Sequence, residues 1–149
     1  SGLAIETSIS FKIFFNLYKE HLLSPETKQR INSSPALKSK LFTIAPTGEK
    51  FILCLVSGDK RCSLNKLKKI LNEKDVSMAN PEDVKKVTGY TIGGVSPTGH
   101  LIKIKIFIDE NLKNYDSIFA AAGHPNAVFK IDFESLKSLT SGVTKEITE

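Results

Sequence analysis

Residues 51–56 read Phe-Ile-Leu-Cys-Leu-Val, the longest uninterrupted apolar run in the chain. This run is too short for a membrane-spanning helix, which needs about 20 residues, but it suits a buried β-strand. Lys40–Ile44, just upstream, is also strand-like, and Pro46-Thr47-Gly48 between the two segments is typical of a turn. The stretch 40–56 therefore predicts two strands that are joined by a turn.

Further elements are predicted on the C-terminal side of these strands. Residues 102–108, Ile-Lys-Ile-Lys-Ile-Phe-Ile, first alternate and then become wholly apolar, which predicts a strand with one face in the core. Asn80-Pro81 opens a short helix. Two further helices are predicted. Ser63 caps the first, whose apolar stripe is Leu64, Leu67, Ile70 and Leu71, and Asp132 caps the second, which runs through Leu139 and is ended by Gly142. The remaining predicted strands are Tyr90–Val95, Ser117–Ala122 and Ala127–Ile131.

The N-terminal part of the sequence leaves two alternatives open. Phe11–Tyr18 alternates like a strand but also fits an amphipathic helix, whereas Ser24-Pro25-Glu26 predicts a helix start. Several predicted strands follow each other directly. This order favours a mixed-sheet α/β or α+β domain over a doubly wound parallel sheet.

The length of 149 residues fits one domain, over residues 1–149, in which 1–10 and 143–149 are expected to be frayed. Apolar residues make up 40% and charged residues 25%, which excludes wholesale disorder. The two cysteines, Cys54 and Cys62, cannot build a disulfide framework or a four-cysteine zinc site, and the first residues lack the pattern of a signal peptide. We therefore expect a reducing, cytoplasmic compartment, no membrane attachment, and a Cys54 that is a buried hydrophobic residue.

The charge of the chain is mildly basic. Its 21 basic and 16 acidic residues give +5, too little to bind nucleic acid through charge alone. Basic side chains are densest in the segment that follows the apolar run, at Lys60, Arg61, Lys66, Lys68, Lys69 and Lys74. This segment is either a surface for a phosphate backbone or the solvated face of an amphipathic helix.

Residues 89–100, Gly-Tyr-Thr-Ile-Gly-Gly-Val-Ser-Pro-Thr-Gly-His, form the most distinctive motif. Glycine removes the Cβ that keeps a ligand away from backbone amides, and Pro97 stiffens the turn. Such a loop can present amides to an anionic or carbonyl oxygen; a connection without a ligand is the alternative. Neither a phosphate-binding Gly-Lys-Ser/Thr nor the glycine spacing of a dinucleotide fingerprint is present.

Two other constellations can carry chemistry. Lys38 and Lys40 lie at the start of a predicted strand, and alternation puts them on the same face. Ala120–Gly123 is a run of small residues that lets a ligand approach closely, and His124 beside it can donate a hydrogen bond or act as an acid or base. A structural role is the alternative for each. No two histidines have metal-ligand spacing, so no metal site is predicted.

The segment Thr88–His100 resembles the signature loop of the YbaK family of aminoacyl-tRNA deacylases. This family includes free-standing prolyl-tRNA editing proteins and the editing domain of bacterial prolyl-tRNA synthetases. Three further segments are similar to the family in the same order: Ser57–Arg61 to its Gly-Asp-Lys/Asn-Arg turn, Leu67–Leu71 to the following helix, and Ala120–Phe129 to a late strand–loop–strand.

The resemblance implies a fold and an activity. The fold is a compact α/β (α+β) domain with a central mixed, largely antiparallel, barrel-like sheet that is flanked by helices. The activity is hydrolysis of the ester between a small wrong amino acid (Ala, Cys or Ser) and the 3′ end of tRNA(Pro), assisted by the 2′-hydroxyl of the tRNA and without a metal or organic cofactor. The implied partners are aminoacyl-tRNA and prolyl-tRNA synthetase. The alternative is a non-catalytic module that binds the tRNA acceptor end or the synthetase.

The resemblance also assigns site residues. The family lysine matches Lys38 best, although a shift of two residues makes it Lys40, and Ser39 between them is expected at the substrate. The residues expected to shape the aminoacyl pocket are Gly93, Gly94, Val95, Ser96 and Pro97 together with Ala122, Gly123 and His124, whereas Lys60 and Arg61 are expected to bind the tRNA. Many cysteine-specific members carry Ser at the position of Ala122.

Catalysis is expected from a lysine and from the backbone of Gly93 and Gly94. The ammonium group of Lys38 or Lys40 would hold the terminal phosphate or the polar end of the substrate, while amides stabilise the developing oxyanion. This mechanism predicts that the lysine side chain and the glycine turn converge in one cleft.

Overall fold

The computed structural model describes residues 36–44, 50–124 and 127–149, and these contain seven strands and three α-helices. The predictions for residues 1–10, 11–18 and 24–26 and for the turn 46–48 lie outside the described residues. The elements in chain order are β1 (Leu37–Ile44), β2 (Lys50–Ser57), α1 (Leu64–Leu71), β3 (Val76–Met78), α2 (Pro81–Thr88), β4 (Lys105–Asp109), a 3-10 helix (Glu110–Asn114), β5 (Ile118–His124), β6 (Ala127–Ile131), α3 (Phe133–Thr140) and β7 (Val143–Lys145).

Five strands form one mixed sheet in the order β3-β1-β2-β4-β7, and β5 and β6 form a separate hairpin. β1 runs antiparallel to β2 and β3, whereas the β2–β4 and β4–β7 pairs are parallel. The predicted pair of strands around residues 40–56 is therefore confirmed, and the apolar run 51–56 is the central strand of the sheet. The expected mixed α+β domain is confirmed as well.

The two faces of this sheet carry two separate hydrophobic cores. On one side, Leu41 and Leu53 pack with α2, α3 and the β5–β6 hairpin, and we call this side the hairpin face. On the other side, Phe42 and Cys54 pack with Leu67 of α1, and we call this side the α1 face. Because side chains alternate along a strand, each residue of β1 points to one of these two layers.

The side chains that were predicted to cap helices do so. A capping oxygen accepts a hydrogen bond from an amide that the helix itself leaves unpaired. Each described α-helix has eight residues, and none is long and apolar enough to cross a membrane. The three capping bonds run from the Lys66 amide to Ser63 (3.2 Å), from the Asp83 amide to Asn80 (2.8 Å) and from the Ser135 amide to Asp132 (2.8 Å).

Residues 90–95, which were predicted to form a strand, are an irregular loop. Gly93 has a φ of 91°, and the Gly94 amide donates to the Thr91 carbonyl, so the chain turns here. The hydroxyl of Tyr90 donates to the Thr98 carbonyl, and this bond folds the loop back on its own start. The apolar residues of the segment therefore do not enter the sheet.

The strand predicted over residues 102–108 is shorter and shifted. β4 begins at Lys105 and ends at Asp109, and Ile102 is 47% exposed. The amide of Ile102 donates to the Val87 carbonyl of α2, which holds this segment away from the ladder with β2. The short strand β3 was not predicted.

The last seven residues are not frayed. β7 pairs in parallel with β4, and Ile147 is fully buried. Buried Asp109 accepts hydrogen bonds from the Ile147 amide (3.2 Å) and from the Thr148 hydroxyl (3.3 Å). These long-range bonds, which no local pattern announces, fix the C-terminal segment against the α1 face.

Candidate functional site

Residues 89–100 form a loop that its own side chains close, and we call it the glycine loop. The Tyr90 hydroxyl donates to the Thr98 carbonyl across the loop (2.9 Å). His100 Nε2 lies 2.8 Å from the Ser96 carbonyl, to which it donates. The rings of Tyr90 and His100 meet edge to face, with their centroids 6.2 Å apart. Two aromatic side chains thus fix the backbone over residues 96–98.

The glycine loop leaves backbone amides free for a ligand. Val95 and Ser96 are buried, yet their amides have no partner among the residues that the structure describes. The Gly94 amide is already engaged, because it donates to the Thr91 carbonyl (2.9 Å). Buried amides are nearly always paired, so those of Val95 and Ser96 are natural donors to a bound oxygen. Open space lies where a Cβ of Gly93 would stand.

The end of β5 packs against this loop. A Cβ on Gly123 would lie 3.0 Å from a ring carbon of Tyr90, and Gly123 has a φ of 90°, so only glycine fits here without strain. Ala122 is half-buried and packs against the core that contains Val95. The structure therefore brings Ala122 and Gly123 to the glycine loop. The side chain of His124 lies outside the described part of the structure.

Lys38 and Lys40 share one face of β1, as alternation predicted. In the β1–β2 ladder they stand opposite Val56 and Cys54, which belong to the α1 face. The glycine loop packs on the other side of the sheet, because Val95 belongs to the core of the hairpin face. The structure thus does not bring the two lysines and the glycine turn into one cleft, contrary to the expectation from the sequence.

Ser39, which lies between the two lysines in β1, points to the hairpin face. It stands opposite Leu55, whose side chain lies in the same core as Val95. β3 pairs with β1 only over Phe42–Ile44, so residues 37–40 have no strand partner on that edge among the described residues. At this edge, Lys38 and Ser39 are adjacent in sequence and point to opposite faces of the sheet.

A cavity of about 730 Å³ lies on the α1 face, and we call it the basic cavity. Among the described residues that line it, only Glu149 is acidic. The modest net charge of the chain is thus concentrated where the sequence has its densest basic segment. The cationic residues that line the cavity are Lys38, Lys40, Lys60, Arg61 and Lys68, and its apolar wall is formed by Phe42, Val56, Cys62, Leu64 and Met78.

The turn after β2 positions two of these cations. The Lys60 amide donates to the Ser57 carbonyl (3.0 Å), which closes the turn. The Ser57 hydroxyl donates to the Asp59 carboxylate, and this bond lowers the pKa of Asp59. A Cβ on Gly58 would lie 2.6 Å from the Ala36 carbonyl oxygen, so the turn packs closely on the start of β1. Lys60 and Arg61 thereby reach the same cavity as Lys38.

Burial controls the protonation of the two side chains that close the glycine loop. It lowers the pKa of His100, because the imidazolium form loses its solvation on burial. The hydrogen bond to the Ser96 carbonyl acts in the opposite direction. Burial raises the pKa of Tyr90 for the corresponding reason. Both side chains are therefore neutral at pH 7 and act here as hydrogen-bond donors.

Sequence reasoning gave little weight to three residues that the structure makes prominent. Tyr90 and His100 close the glycine loop, and their place near its two ends was the available signal. Cys62 lines the basic cavity, and no local pattern marked it. Among the described residues no cluster of three or more His, Cys, Asp or Glu side chains could hold a metal ion.

The fold and the site define a mixed α+β domain with the glycine loop on one face of a sheet and a cavity lined largely by cations on the other. Residues 25–139 match the family described as the aminoacyl-tRNA editing domain. The chain therefore belongs to this family, and the resemblance to the YbaK proteins is confirmed.

Individual relatives agree with this assignment. EbsC of Enterococcus faecalis, a candidate Cys-tRNA(Pro)/Cys-tRNA(Cys) deacylase, is 31% identical over 114 residues, which cover 74% of this chain and 70% of EbsC. A proline–tRNA ligase of Lactobacillus acidophilus is 37% identical over 79 residues, 53% of this chain but 14% of the ligase. The crystal structure of a candidate trans-editing enzyme for prolyl-tRNA synthetase superposes with a TM-score of 0.75 at 31% identity, covering 87% of this chain and 82% of that one.

Proposed function

We propose that the chain is an aminoacyl-tRNA deacylase that removes a small wrong amino acid, Ala, Cys or Ser, from tRNA(Pro). Membership of the editing family supports this proposal at the level of aminoacyl-tRNA editing. The observation that carries it is the pair of buried amides at Val95 and Ser96, which have no partner among the described residues and adjoin the small residues of β5.

The two amides would bind the carbonyl oxygen of the aminoacyl ester. Water adds to the carbonyl carbon, the oxygen gains negative charge, and the C–O bond to the ribose then breaks to release the amino acid and the tRNA hydroxyl. Donors that are fixed in advance stabilise such an oxyanion without reorganising, and the loss of one donor of this kind costs about 10²–10³ in rate. Tyr90 and His100 fix the loop in this way.

The basic cavity would hold the phosphates of the tRNA acceptor end. The ammonium groups of Lys38 and Lys40 lie on the α1 face, so they would bind the tRNA rather than act at the ester. The acceptor end would pass around the edge of β1 at residues 37–40, where Ser39 lies on the same face as the glycine loop and Lys38 lines the cavity. Consecutive Cα atoms are only about 3.8 Å apart, so one nucleotide can contact both faces at this edge.

The pocket would select its amino acid by size. One methylene changes the binding free energy by only about 1–3 kcal/mol, so a synthetase attaches some amino acids that differ little in size from the correct one. A second site then hydrolyses the esters of those amino acids that are small enough to enter it. Ala122 and Gly123 contribute almost no side chain, while the Tyr90 ring occupies the space beside Gly123. Small aminoacyl groups would enter this pocket and bulky ones would be excluded.

The test is to incubate the chain with Ala-, Ser-, Cys- and Pro-tRNA(Pro) and to follow the loss of the ester. We expect at least one of the first three to be hydrolysed well above the rate in buffer. Measurable tRNA binding with no ester loss from any of the four would instead favour the non-catalytic module, for which the separation of the lysines from the glycine loop argues.

Two lysine variants test whether the α1 face binds the tRNA while the hairpin face acts at the ester. Lys38→Ala and Lys40→Ala should raise KM and leave kcat nearly unchanged, because phosphate binding is lost while the ester site remains. Lys137→Ala, on the exposed side of α3, is the matched control and should change neither constant. A fall in kcat at constant KM would place the ammonium group at the ester and contradict this arrangement.

A further inference from the structure

The two cysteines of the chain lie side by side below the basic cavity. Cys54 is in the middle of β2, is fully buried and points to the α1 face. Cys62 is partly exposed and lines the cavity together with Lys38 and Lys40. Cys62 packs against the core that contains Cys54, and a hydrogen bond between the two thiols raises the pKa of Cys54 and lowers that of Cys62.

The fold fixes this pairing. β2 ends at Ser57, and the turn closed by the bond from the Lys60 amide to the Ser57 carbonyl sends the chain back over the α1 face. Cys62 then forms a β-bridge with Thr148. The neighbouring Ser63 amide donates to the Ile147 carbonyl (2.8 Å). The C-terminal segment therefore fixes the backbone at Cys62, whose side chain packs against the core that contains Cys54.

The surroundings make the two thiols chemically different. The hydrogen bond from Cys54 is the main cause that lowers the pKa of Cys62, and the charges of Lys40 and Lys38 act in the same direction. Burial and the Asp109 carboxylate oppose these effects without reversing them. The pKa of Cys54 is raised by the same hydrogen bond and by burial. Cys62, which is partly exposed, is thus the better nucleophile, and Cys54 is the buried, protonated partner.

We propose that Cys62 and Cys54 form a peroxide-sensitive dithiol in which Cys62 is oxidised first and Cys54 resolves it into a disulfide. A partly exposed thiolate beside cations, with a second thiol in contact, is the arrangement that hydroperoxides oxidise preferentially. Lys38, Lys40 and Cys62 all line the basic cavity, so the cations stand beside the thiol that reacts first.

The chemistry is a two-electron oxidation by a hydroperoxide. The Cys62 thiolate attacks the terminal peroxide oxygen, the S–O bond forms, the O–O bond breaks, and the departing alkoxide or hydroxide takes a proton from solvent. The resulting sulfenic acid is then attacked by the sulfur of Cys54, which gives up its proton. The S–S bond forms, the S–O bond breaks, and the hydroxide leaves with that proton as water. Two thiols have been oxidised and one peroxide reduced.

The disulfide would change the floor of the basic cavity. Cys62 is a lining residue, and a disulfide draws its sulfur from hydrogen-bond distance to about 2.05 Å from that of Cys54. Under the proposed function, the oxidised protein should bind tRNA more weakly and deacylate more slowly, and a dithiol reductant should restore both. This consequence rests on the proposed function, whereas the thiol oxidation itself does not.

The test is to treat the whole chain with a stoichiometric amount of hydrogen peroxide and to measure its intact mass. We expect a loss of about 2 Da in the wild type, and a gain of about 16 Da or a sulfenic-acid adduct in Cys54→Ser. Cys62→Ser should show neither change. Lys40→Met should react roughly several-fold more slowly, because a cation that favours the thiolate has been removed.

The outcomes separate the two proposals. Fast disulfide formation without any deacylase activity supports the dithiol and contradicts the proposed function alone. A Cys62 that reacts no faster than the thiol of the urea-unfolded chain would overturn the dithiol. A sulfenic acid that persists in the wild type would overturn the role of Cys54 as its resolving partner.

Discussion

His100 is a buried side chain that fixes the second half of the glycine loop. Its Nε2 donates to the Ser96 carbonyl, and burial lowers the pKa of its ring from the ordinary value of 6.5. The folded protein therefore takes up the proton less readily than the unfolded chain does. The stabilising contribution is complete above pH 6.5 and is lost as the pH falls from there to the folded-state pKa.

The variant His100→Gln distinguishes the effect of the hydrogen bond to Ser96 from the effect of protonating the His100 ring. An amide side chain can still donate to the Ser96 carbonyl but does not ionise, so the free energy of unfolding should depend less on pH below 6.5 than in the wild type. His100→Ala should lose about 1–3 kcal/mol at pH 7, because it leaves that buried carbonyl without its donor. Urea unfolding of the three proteins between pH 5 and pH 8 measures both effects. Parallel pH profiles for wild type and His100→Gln would contradict the assigned role of burial.

At the scale of elements, the C-terminal segment stabilises the α1 face more than its length suggests. Ile147 is fully buried, whereas Glu146 beside it is exposed and pairs with Lys66 across 2.8 Å. Ile147→Ala should therefore lower the free energy of unfolding by about 2–5 kcal/mol through the cavity that it creates. Glu146→Ala should change it little, because exposed ion pairs contribute little.

Urea titrations of the two variants make this comparison within one segment. Equal losses would mean that the segment detaches before the protein unfolds, as a frayed end does. A large loss for Ile147→Ala alone supports the view that β7 and the residues after it belong to the folded core.

Elements with local signals could be predicted from the sequence, and elements held by distant contacts could not. The pair β1–β2 was predicted from its apolar runs and the turn between them. The helix caps Ser63 and Asp132 were predicted from their residue types. The C-terminal segment was misjudged because buried Asp109, far away in sequence, holds it. Residues 90–95 were misjudged because the positive φ of Gly93 and the bond from Tyr90 to the Thr98 carbonyl turn this segment into a loop.

The candidate site shows the same limit. Alternation correctly put Lys38 and Lys40 on one face of a strand, because the period of two is a property of that strand alone. It could not say on which face the glycine loop would pack, since that depends on where α2 and the β5–β6 hairpin settle. The lysines and the loop therefore lie on opposite sides of β1, and Ser39 shares the face of the loop.

At the scale of the whole molecule, the sheet separates the neutral glycine loop, the proposed ester site, from the basic cavity, the proposed phosphate site. Five cations line the basic cavity, although the net charge of the chain is only +5. Binding of a tRNA through this cavity should release counterions, so the logarithm of the association constant should fall linearly with the logarithm of the salt concentration.

The slope of that line reports which side chains contact phosphate. Lys60→Ala and Arg61→Ala should each reduce the slope by about one and weaken binding to different tRNAs alike, because a phosphate contact carries no sequence information. Lys137→Ala removes the same charge from the opposite side of the sheet and should leave the slope unchanged. The measurement is a salt titration of tRNA binding by the four proteins at equal pH. If all three variants shift the slope equally, the tRNA responds to the total charge of the chain and the basic cavity is not its site, whereas a shift confined to Lys60 and Arg61 fixes the acceptor end on the α1 face.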